Sequence, residues 1–477
     1  MNPIQIGSRR EVFWDDALLD MTKTTAVFRL HEPVQRECVL TYDEPWAGDC
    51  AAYNVVLPDP EAGVYRMYTR ISGGPIEGNV AYAESTDGIH WEKPSLGIVE
   101  FEGSSDNNLL FDFEHRPDIH GFDSFRPFID DNPDCPPEER IKGVGNFGNF
   151  GGPLQLQLFT SADGIHFDYQ GPLKIKGAFD SVNTVFYNKY TGTYQAFVRD
   201  FHPAGDPTYQ IWTRDVRFTE SPVLLGKDWP IPRPLRYDCG SDWQMYINSI
   251  FKYSRADHMY VGFPSRYIQR REWTDNYEEL CGLEKRKERM KRDPRFGLAV
   301  SDTLFMCSRD GLNWRRYPEA FVRPGPEHPS GWVYGSVYFS NGIVETPASH
   351  PGCDPELSFY CAENRWMDVP AQIYRYSLRT DGFVSLFAPY PEANIVTKPF
   401  IYEGSDLYVN LSTSAYGHAT FRLRDVESGR EITSCETFGD SIHKKVHFNV
   451  SPAELAGKPV ILSVNLCDAD LYSMIFQ

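Results

Sequence analysis

Four segments of the chain share a short signature: Ser85-Thr-Asp87-Gly-Ile-His-Trp91, Ser161-Ala-Asp163-Gly-Ile-His-Phe167, Ser308-Arg-Asp310-Gly-Leu-Asn-Trp314 and the looser Arg379-Thr-Asp381-Gly-Phe383. A weaker copy lies at Thr213-Arg-Asp215-Val-Arg-Phe218. Repetition of this kind constrains a fold more than any single segment does. The signature reads as a hairpin turn: the aspartate bonds nearby backbone N–H groups, glycine accepts positive φ, and the aromatic closes the turn against a sheet. Between Asp87 and Asp381 the copies recur about every 74 residues. That is too long for a solenoid repeat and suits a four-stranded propeller blade with generous loops.

Each signature follows alternating, aromatic-rich strand pairs: Ala52–Leu57 with Val64–Arg70, then Arg126–Asp130 and Arg140–Val144 with Leu154–Thr160. The series continues with Asn183–Tyr187 and Thr193–Arg199, Met245–Tyr253 and His258–Pro264, and Val333–Phe339 with Glu356–Cys361. The pattern predicts an all-β chain, a five-bladed β-propeller over residues 1–390 in which segment 1–45 helps close or cover the ring. After Ser385 the signature stops, and shorter alternating strands such as Leu407–Ser412, Ala419–Leu423, Lys445–Val450 and Val460–Asn465 predict a β-sandwich over 391–477. The charged stretch Arg270–Arg295 is the chief exception, read as a helix or long hairpin inserted on the fourth blade.

Composition narrows the function. A net charge of −19 repels nucleic acid and anionic membrane surfaces, so neither is expected as a partner. The basic run Glu284–Arg295 is interleaved with acids and reads as a solvated insertion. No apolar run has the length of a membrane span, and the first residues lack a signal-peptide pattern, which together predict a cytoplasmic protein. Ten scattered cysteines without a CxxC predict reduced thiols and no structural metal site. No cofactor is expected, and a homo-oligomer is compatible with the sequence.

The innermost strands of a propeller line one channel, so polar residues entering them from different blades converge. The residues at those points are Trp46 and Asp49, Arg126 and Asp130, Asp180 and Asn183, Tyr246 and Asn248, and Trp332. Arg199 and Arg266, each after an apolar strand, and Glu363 complete the expected substrate-binding set, with Arg365 beside Glu363 in reserve. Carboxylates, aromatics and amides at one channel mouth suit cleavage of a sugar. One carboxyl group protonates the leaving oxygen and a second attacks or activates water, while aromatic faces hold the apolar side of the ring. The signature aspartates Asp87, Asp163 and Asp310 are read as structural, and Asp15 and Asp16 as part of the closing segment.

The succession of acid and alternating strand in GDCAAYNVVLPDPEAGVYRMYTR, FIDDNPDCPPEERIKGVG and FDSVNTVFYNKYTGTYQAFVRD resembles the five-bladed glycoside hydrolases of the invertase/levanase and arabinanase/β-xylosidase types. It also looks like a bacterial group of such propellers. The resemblance implies a carbohydrate substrate and, in blade order, a nucleophile or base aspartate, a stabilising aspartate and an acid glutamate. By position these fall on Asp49, Asp130 and Asp180, the last being an aspartate where that family has glutamate. A non-catalytic carbohydrate-binding propeller and a glycoside phosphorylase are the alternatives; a lone acid facing Arg and His would favour the latter.

Overall fold

The computed structural model describes residues 2–116, 119–147, 155–206 and 211–477. The chain is nearly all β, and its α-helices among the described residues are the short segments Asp275–Glu279, Leu283–Met290 and Arg295–Leu298, all within or beside the charged insertion. None of its helices among the described residues is long and apolar enough to cross a membrane.

The first part of the chain forms a series of small antiparallel sheets. Cys50–Asp59 pairs with Val64–Ser72, and that strand with Asn79–Ser85. Ser124–Ile129, Ile141–Asn146, Leu156–Ser161 and Asp168–Pro172 follow in order. Leu154, expected to open the third of these strands, lies outside the described residues. Thr184–Asn188, Thr193–Pro203 and Trp212–Ser221 make the next sheet. The expected strand Met245–Tyr253 is divided into Gln244–Ile247 and Ile250–Lys252, because Ser249 between them turns to φ +38° and sends the two halves into different sheets. Finally Tyr338–Phe339 and Glu356–Glu363 pair, followed by Ala371–Arg379, whose outer edge is taken by Val34–Tyr42 from near the N-terminus.

The opening strands of these sheets stand beside one another. Cys50–Asp59 neighbours Ser124–Ile129, which neighbours Thr184–Asn188, which neighbours Ile250–Lys252, and Tyr338–Phe339 lies back against Cys50–Asp59. Cys50–Asp59, Ser124–Ile129 and Tyr338–Phe339 are buried along most of their length rather than on alternate faces, as strands covered on both sides must be.

The repeated turn ties the sheet that carries it to a neighbouring sheet. In all three full copies the serine Oγ accepts from the Asp and Gly amides, and the aspartate Oδ1 accepts from the two amides beyond the glycine at 2.7–2.9 Å. Glycines 88, 164 and 311 sit at φ +72° to +75° and press against aromatics of a neighbouring sheet, with Tyr360 and Tyr68 donating to the carbonyls of Gly88 and Gly164. The weaker copy is not a turn: Thr213–Phe218 runs inside the strand Trp212–Ser221, since without a glycine nothing favours the positive φ. Asp163→Ala is accordingly expected to lower stability by roughly 1–2 kcal/mol, the worth of its turn bonds, with catalytic rate unchanged. Urea denaturation alongside an activity assay checks both halves.

The C-terminal part is organised around two long strands, Leu407–Asp425 and Val460–Phe476, which pair from Leu407↔Phe476 to Asp425↔Val460 in a ten-stranded sheet. The N-terminal strands Ile4–Gly7, Glu11–Val12 and Val27–Leu30 join that sheet, as does Val384–Ala388. Its core holds Phe13, Leu19, Leu386, Val409, Phe421, Leu462 and Phe476. The first thirty or so residues therefore belong with the end of the chain and the next dozen with the small sheets.

Buried ion pairs tie these layers. Glu11 faces Arg309 at 3.1 Å, Arg9 at 2.6 Å and His258 at 3.6 Å; burial alone would raise its pKa, but those partners bring it down to about 2. Asp59 is held to about 2 by Arg140 and Arg66, which overcome its own desolvation. Both folded values lie below the unfolded carboxyl range near 4, so the stability they contribute is present above that range and is lost as pH falls through about 4 toward 2. Each should account for on the order of 2 kcal/mol. Thermal melts across that window should show a steep fall, blunted in Asp59→Asn.

Candidate active site

Three of the opening strands are preceded by an acid. Asp49 directly precedes Cys50–Asp59, Asp123 directly precedes Ser124–Ile129, and Asp180 lies just ahead of Thr184–Asn188. The last two are joined: Asp123 Oδ2 accepts the Ser181 amide at 2.8 Å, and Arg70 from the neighbouring sheet reaches Asp123 at 4.0 Å. Asp180 therefore stands one residue from a direct bond to Asp123.

The turn that carries Asp180 is strained. Phe179 and Ser181 hold φ +55° and +87°, and the Asp180 amide bonds the Ala178 carbonyl across a three-residue turn. Two left-handed excursions by non-glycine residues, one on each side of Asp180, cost energy and persist only when the surroundings over-determine them. Here Asn146 and Asn183 both donate to the Phe179 carbonyl, Ser124 and Asn183 to the Ser181 carbonyl, and Ser181 Oγ to Tyr246 O. Asn183 Oδ1 also accepts the Arg199 amide at 2.8 Å.

Around these acids lies a ring of arginines and tyrosines. Arg199, 1% exposed, approaches Asp180 at 3.4 Å, donates to the Tyr246 carbonyl and lies 4.7 Å from the Tyr246 ring centre. Arg214 donates to Tyr267 and Gln244 at 2.6 and 3.1 Å. Tyr53 and Tyr246 meet at 3.4 Å through their hydroxyls, and Tyr338 stacks on both. Arg365 lies over Trp366, Tyr338 and Tyr53 at 4.1–5.5 Å. Burial drives Tyr53, Tyr334 and Tyr338 well above the ordinary phenol range, so they act as neutral donors and surfaces. Asp49 rests against Gly73, where a side chain would collide with its carboxyl, and its carbonyl accepts the Trp366 amide. Burial raises the Asp49 pKa, and the nearby Asp368 charge adds to that while the Asp368 backbone and Lys285 oppose it.

No family model and no curated protein matches the chain. Among solved structures, an N-acetylgalactosamine deacetylase from F. plautii in complex with blood group B trisaccharide is 14% identical, with 74% of this chain and 96% of that one covered at a TM-score of 0.45. A fructofuranosidase from Schwanniomyces occidentalis complexed with fructose is 11% identical, covering 93% and 97% at 0.40. An exo-β-1,3-galactanase from Phanerochaete chrysosporium with galactose is 10% identical, covering 91% and 99% at 0.36.

The structure brings Asp180, Asn183, Arg199 and Tyr246 together, and Asp49 precedes its strand at the corresponding point. Asn183 serves as a brace for the strained turn, and Asn248 likewise donates to the Val182 and Phe197 carbonyls. Asp130 lies at the far end of its strand from Asp123. It follows Ser124–Ile129, a six-residue strand, and so lies roughly 20 Å from Asp123. There it accepts Tyr194 at 2.7 Å, pairs with Lys142 at 3.3 Å and caps the Asn132 amide.

Several expected binding residues also lie elsewhere. Arg266 is bound to Asp302 at 2.6 Å, a strand-to-strand ion pair, and Trp332 donates to Gly325 O beside the helical insertion. Trp46 bonds Asn108 and meets Phe101 edge-on in an outer core. Glu363, raised by burial, accepts Tyr376 and Gln35 and lines a groove with His328 and Arg323. Arg126 is buried among the opening strands, its Nη1 donating to the Asn54 carbonyl at 2.7 Å.

Asp123, Tyr53, Arg70, Arg214 and Tyr338 were not singled out from sequence. The signal for Asp123 was positional: an acid immediately before an apolar strand, as Asp49 is before Cys50.

Proposed function

We propose that the small sheets form a five-bladed ring capped by a C-terminal sandwich, and that the end carrying Asp49, Asp123 and Asp180 cleaves a glycosidic bond. The observation that carries the reading is the coupling of Asp180 to Asp123 through a strained, heavily braced turn, beside an aromatic and arginine lining. Backbone strain held in place at such expense is a mark of functional sites.

The two outer acids differ in environment in the way acid–base chemistry on a sugar requires. Asp49 is the half-buried carboxyl whose pKa burial raises, and it donates the proton to the leaving oxygen. Asp180, about half exposed and facing Arg199, is the carboxyl group that attacks or activates water. Asp123 fixes the Ser181 backbone and so the aim of Asp180. This reverses the roles expected from sequence for Asp49 and Asp180 and replaces Asp130 by Asp123. Tyr246, Tyr53 and Trp366 present ring faces, and Arg70 and Arg199 hydroxyl-binding donors.

The arginines around Asp180 favour a second reading, phosphorolysis, in which orthophosphate takes the place of water. A panel of nitrophenyl glycosides and oligosaccharides, assayed with and without orthophosphate, tests both. Turnover without phosphate that disappears in Asp180→Asn supports hydrolysis, and strict phosphate dependence moves the assignment. No turnover, with sugars still bound, leaves a carbohydrate-binding ring.

A further inference from the structure

The end that carries Asp49, Asp123 and Asp180 holds more positive charge than its carboxylates balance. Arg199 is matched by Asp180 at 3.4 Å, Arg70 by Asp123 at 4.0 Å, Arg295 by Asp293 at 3.1 Å and Lys285 by Asp368. Arg214, Arg289 and Arg365 have no carboxylate within ion-pair distance among the described residues, yet all three belong to the same cluster. Arg214 lies 5.5 Å from the Tyr246 ring centre, Arg365 lies 5.1 Å from that of Tyr338, which stacks on Tyr246, and Arg289 donates to the Tyr334 carbonyl at 2.9 Å. Arg289 and Arg365 crowd each other: burial first, and then the Arg365 charge, pull the Arg289 pKa down to about 10. In a chain of net charge −19 this local surplus runs against the whole molecule, and it draws anions to one place. Stacking on tyrosine faces offsets part of the desolvation cost of a guanidinium but leaves its charge unbalanced.

Arg214 is the member placed to meet a ligand. Arg199 and Phe201 pair with Val216 and Arg214 across neighbouring strands, so both arginines project from one face of the sheet. Both lie over the Tyr246 ring, at 4.7 and 5.5 Å. Nη1 of Arg214 is fixed by Tyr267 Oη and Gln244 Oε1 at 2.6 and 3.1 Å. Nε is enclosed without a partner, whereas Nη2 bonds no described residue and is not enclosed, the residue as a whole being partly exposed. A guanidinium locked at one nitrogen and open at another is pre-organised for a charge-assisted bond to an anion.

We propose that the sugar bound at this end is an acidic one, its carboxylate or sulfate substituent resting on Nη2 of Arg214 within the field of Arg289 and Arg365. This rests on reading that end as a glycoside-cleaving site, and it adds the charge of the substrate. The bound anion does for Arg214 what Asp180 does for Arg199.

The probes are glucuronate, galacturonate and mannuronate for a carboxylate, and the O6-sulfated forms of glucose, galactose and mannose for a sulfate. Each is compared with its neutral parent, and affinity for the full chain is measured by calorimetry or saturation-transfer NMR. At least one acid should bind on the order of 10- to 100-fold more tightly than its parent, the effect of one hydrogen bond to a charged group. A preference confined to the uronates, or to the sulfates, names the substituent. Arg214→Met should bring acid and parent to roughly equal affinity, and Arg214→Lys, which keeps the charge, should retain part of the difference. Should neither variant fold, the comparison of acid with parent on the unaltered chain decides. Equal affinity for every acid and its parent, absence of binding included, overturns the proposal, as does a preference that Arg214→Met leaves intact. Strictly phosphate-dependent cleavage of a neutral sugar overturns it too, because the surplus charge then serves orthophosphate. The two readings fail separately. Neutral glycosides cleaved without any preference for acids remove the charge assignment alone, whereas acids held through Arg214 whose glycosides are never cleaved remove the cleavage alone.

Discussion

Asp381→Ala is expected to cost about 3–5 kcal/mol of stability, several times the loss in Asp163→Ala, although both aspartates belong to the same repeated signature. Asp163 is half exposed, whereas Asp381 is fully buried. Its carboxylate accepts Tyr253 OH at 2.6 Å, Arg255 Nε at 3.0 Å and Ser473 Oγ at 2.9 Å, with Arg10 at 3.3 Å. Arg10 and Ser473 belong to the N- and C-terminal parts, and Tyr253 and Arg255 to the small sheets. Its backbone carbonyl accepts the indole of Trp14, itself wedged edge-on among Tyr253, Phe305 and Phe383. Truncation leaves two guanidinium groups and a phenol facing an apolar hole. Asp381→Asn keeps the side-chain shape and tolerates the φ of +58° at this position, so it isolates the charge. Urea or guanidinium midpoints measure the loss. A change below about 1 kcal/mol in Asp381→Ala would show that the joint between the two parts does not rest on this carboxylate.

The contrast shows how far the sequence could be read. The turn signature is local: serine, aspartate and glycine satisfy one another within four residues, so the three full copies fold as their sequence predicts. The fourth copy is shaped by partners from distant segments, and nothing in Arg379–Phe383 announces Arg10, Tyr253 and Ser473. Strand existence was legible from alternation and aromatic content for the same local reason. The split of Met245–Tyr253 at Ser249 was not, since it depends on which sheets the two halves join.

The candidate site divides along the same line. That acids gather where opening strands begin follows from strand direction, and Asp49 and Asp180 could be chosen on that ground. Choosing Asp123 over Asp130 required knowing where Ser124–Ile129 starts, and the pair Asp130-Asp131 drew attention to its far end. Residue identity gave no help, because Asp130 makes a sound salt bridge with Lys142 where it is. The arginines and tyrosines come from first, second and third strands of several sheets, so their convergence is a property of packing.

Replacement of either outer carboxyl should abolish most catalysis, and the pattern of rescue should tell them apart. Asp49→Asn removes the proton donor, lowering turnover of an unactivated glycoside on the order of 10²–10⁴-fold. A nitrophenyl leaving group needs no proton and should recover much of that loss. Asp180→Asn removes the attacking or activating carboxylate, and a better leaving group should not restore it. The pH profile carries an independent sign. A general acid works while protonated, so activity falls as pH rises through the pKa of Asp49, which burial and the neighbouring Asp368 charge push upward. Asp368→Asn takes away one of those upward contributions, and the alkaline limb should move to lower pH with little change in the plateau rate. Asp49 and Asp180 variants with equal rescue, or an alkaline limb unmoved by Asp368→Asn, would remove Asp49 from the role of acid. Asp123→Asn should fall between these cases. It weakens the brace on Ser181 rather than the chemistry, so it should lower the rate for activated and unactivated substrates alike while leaving the pH profile in place.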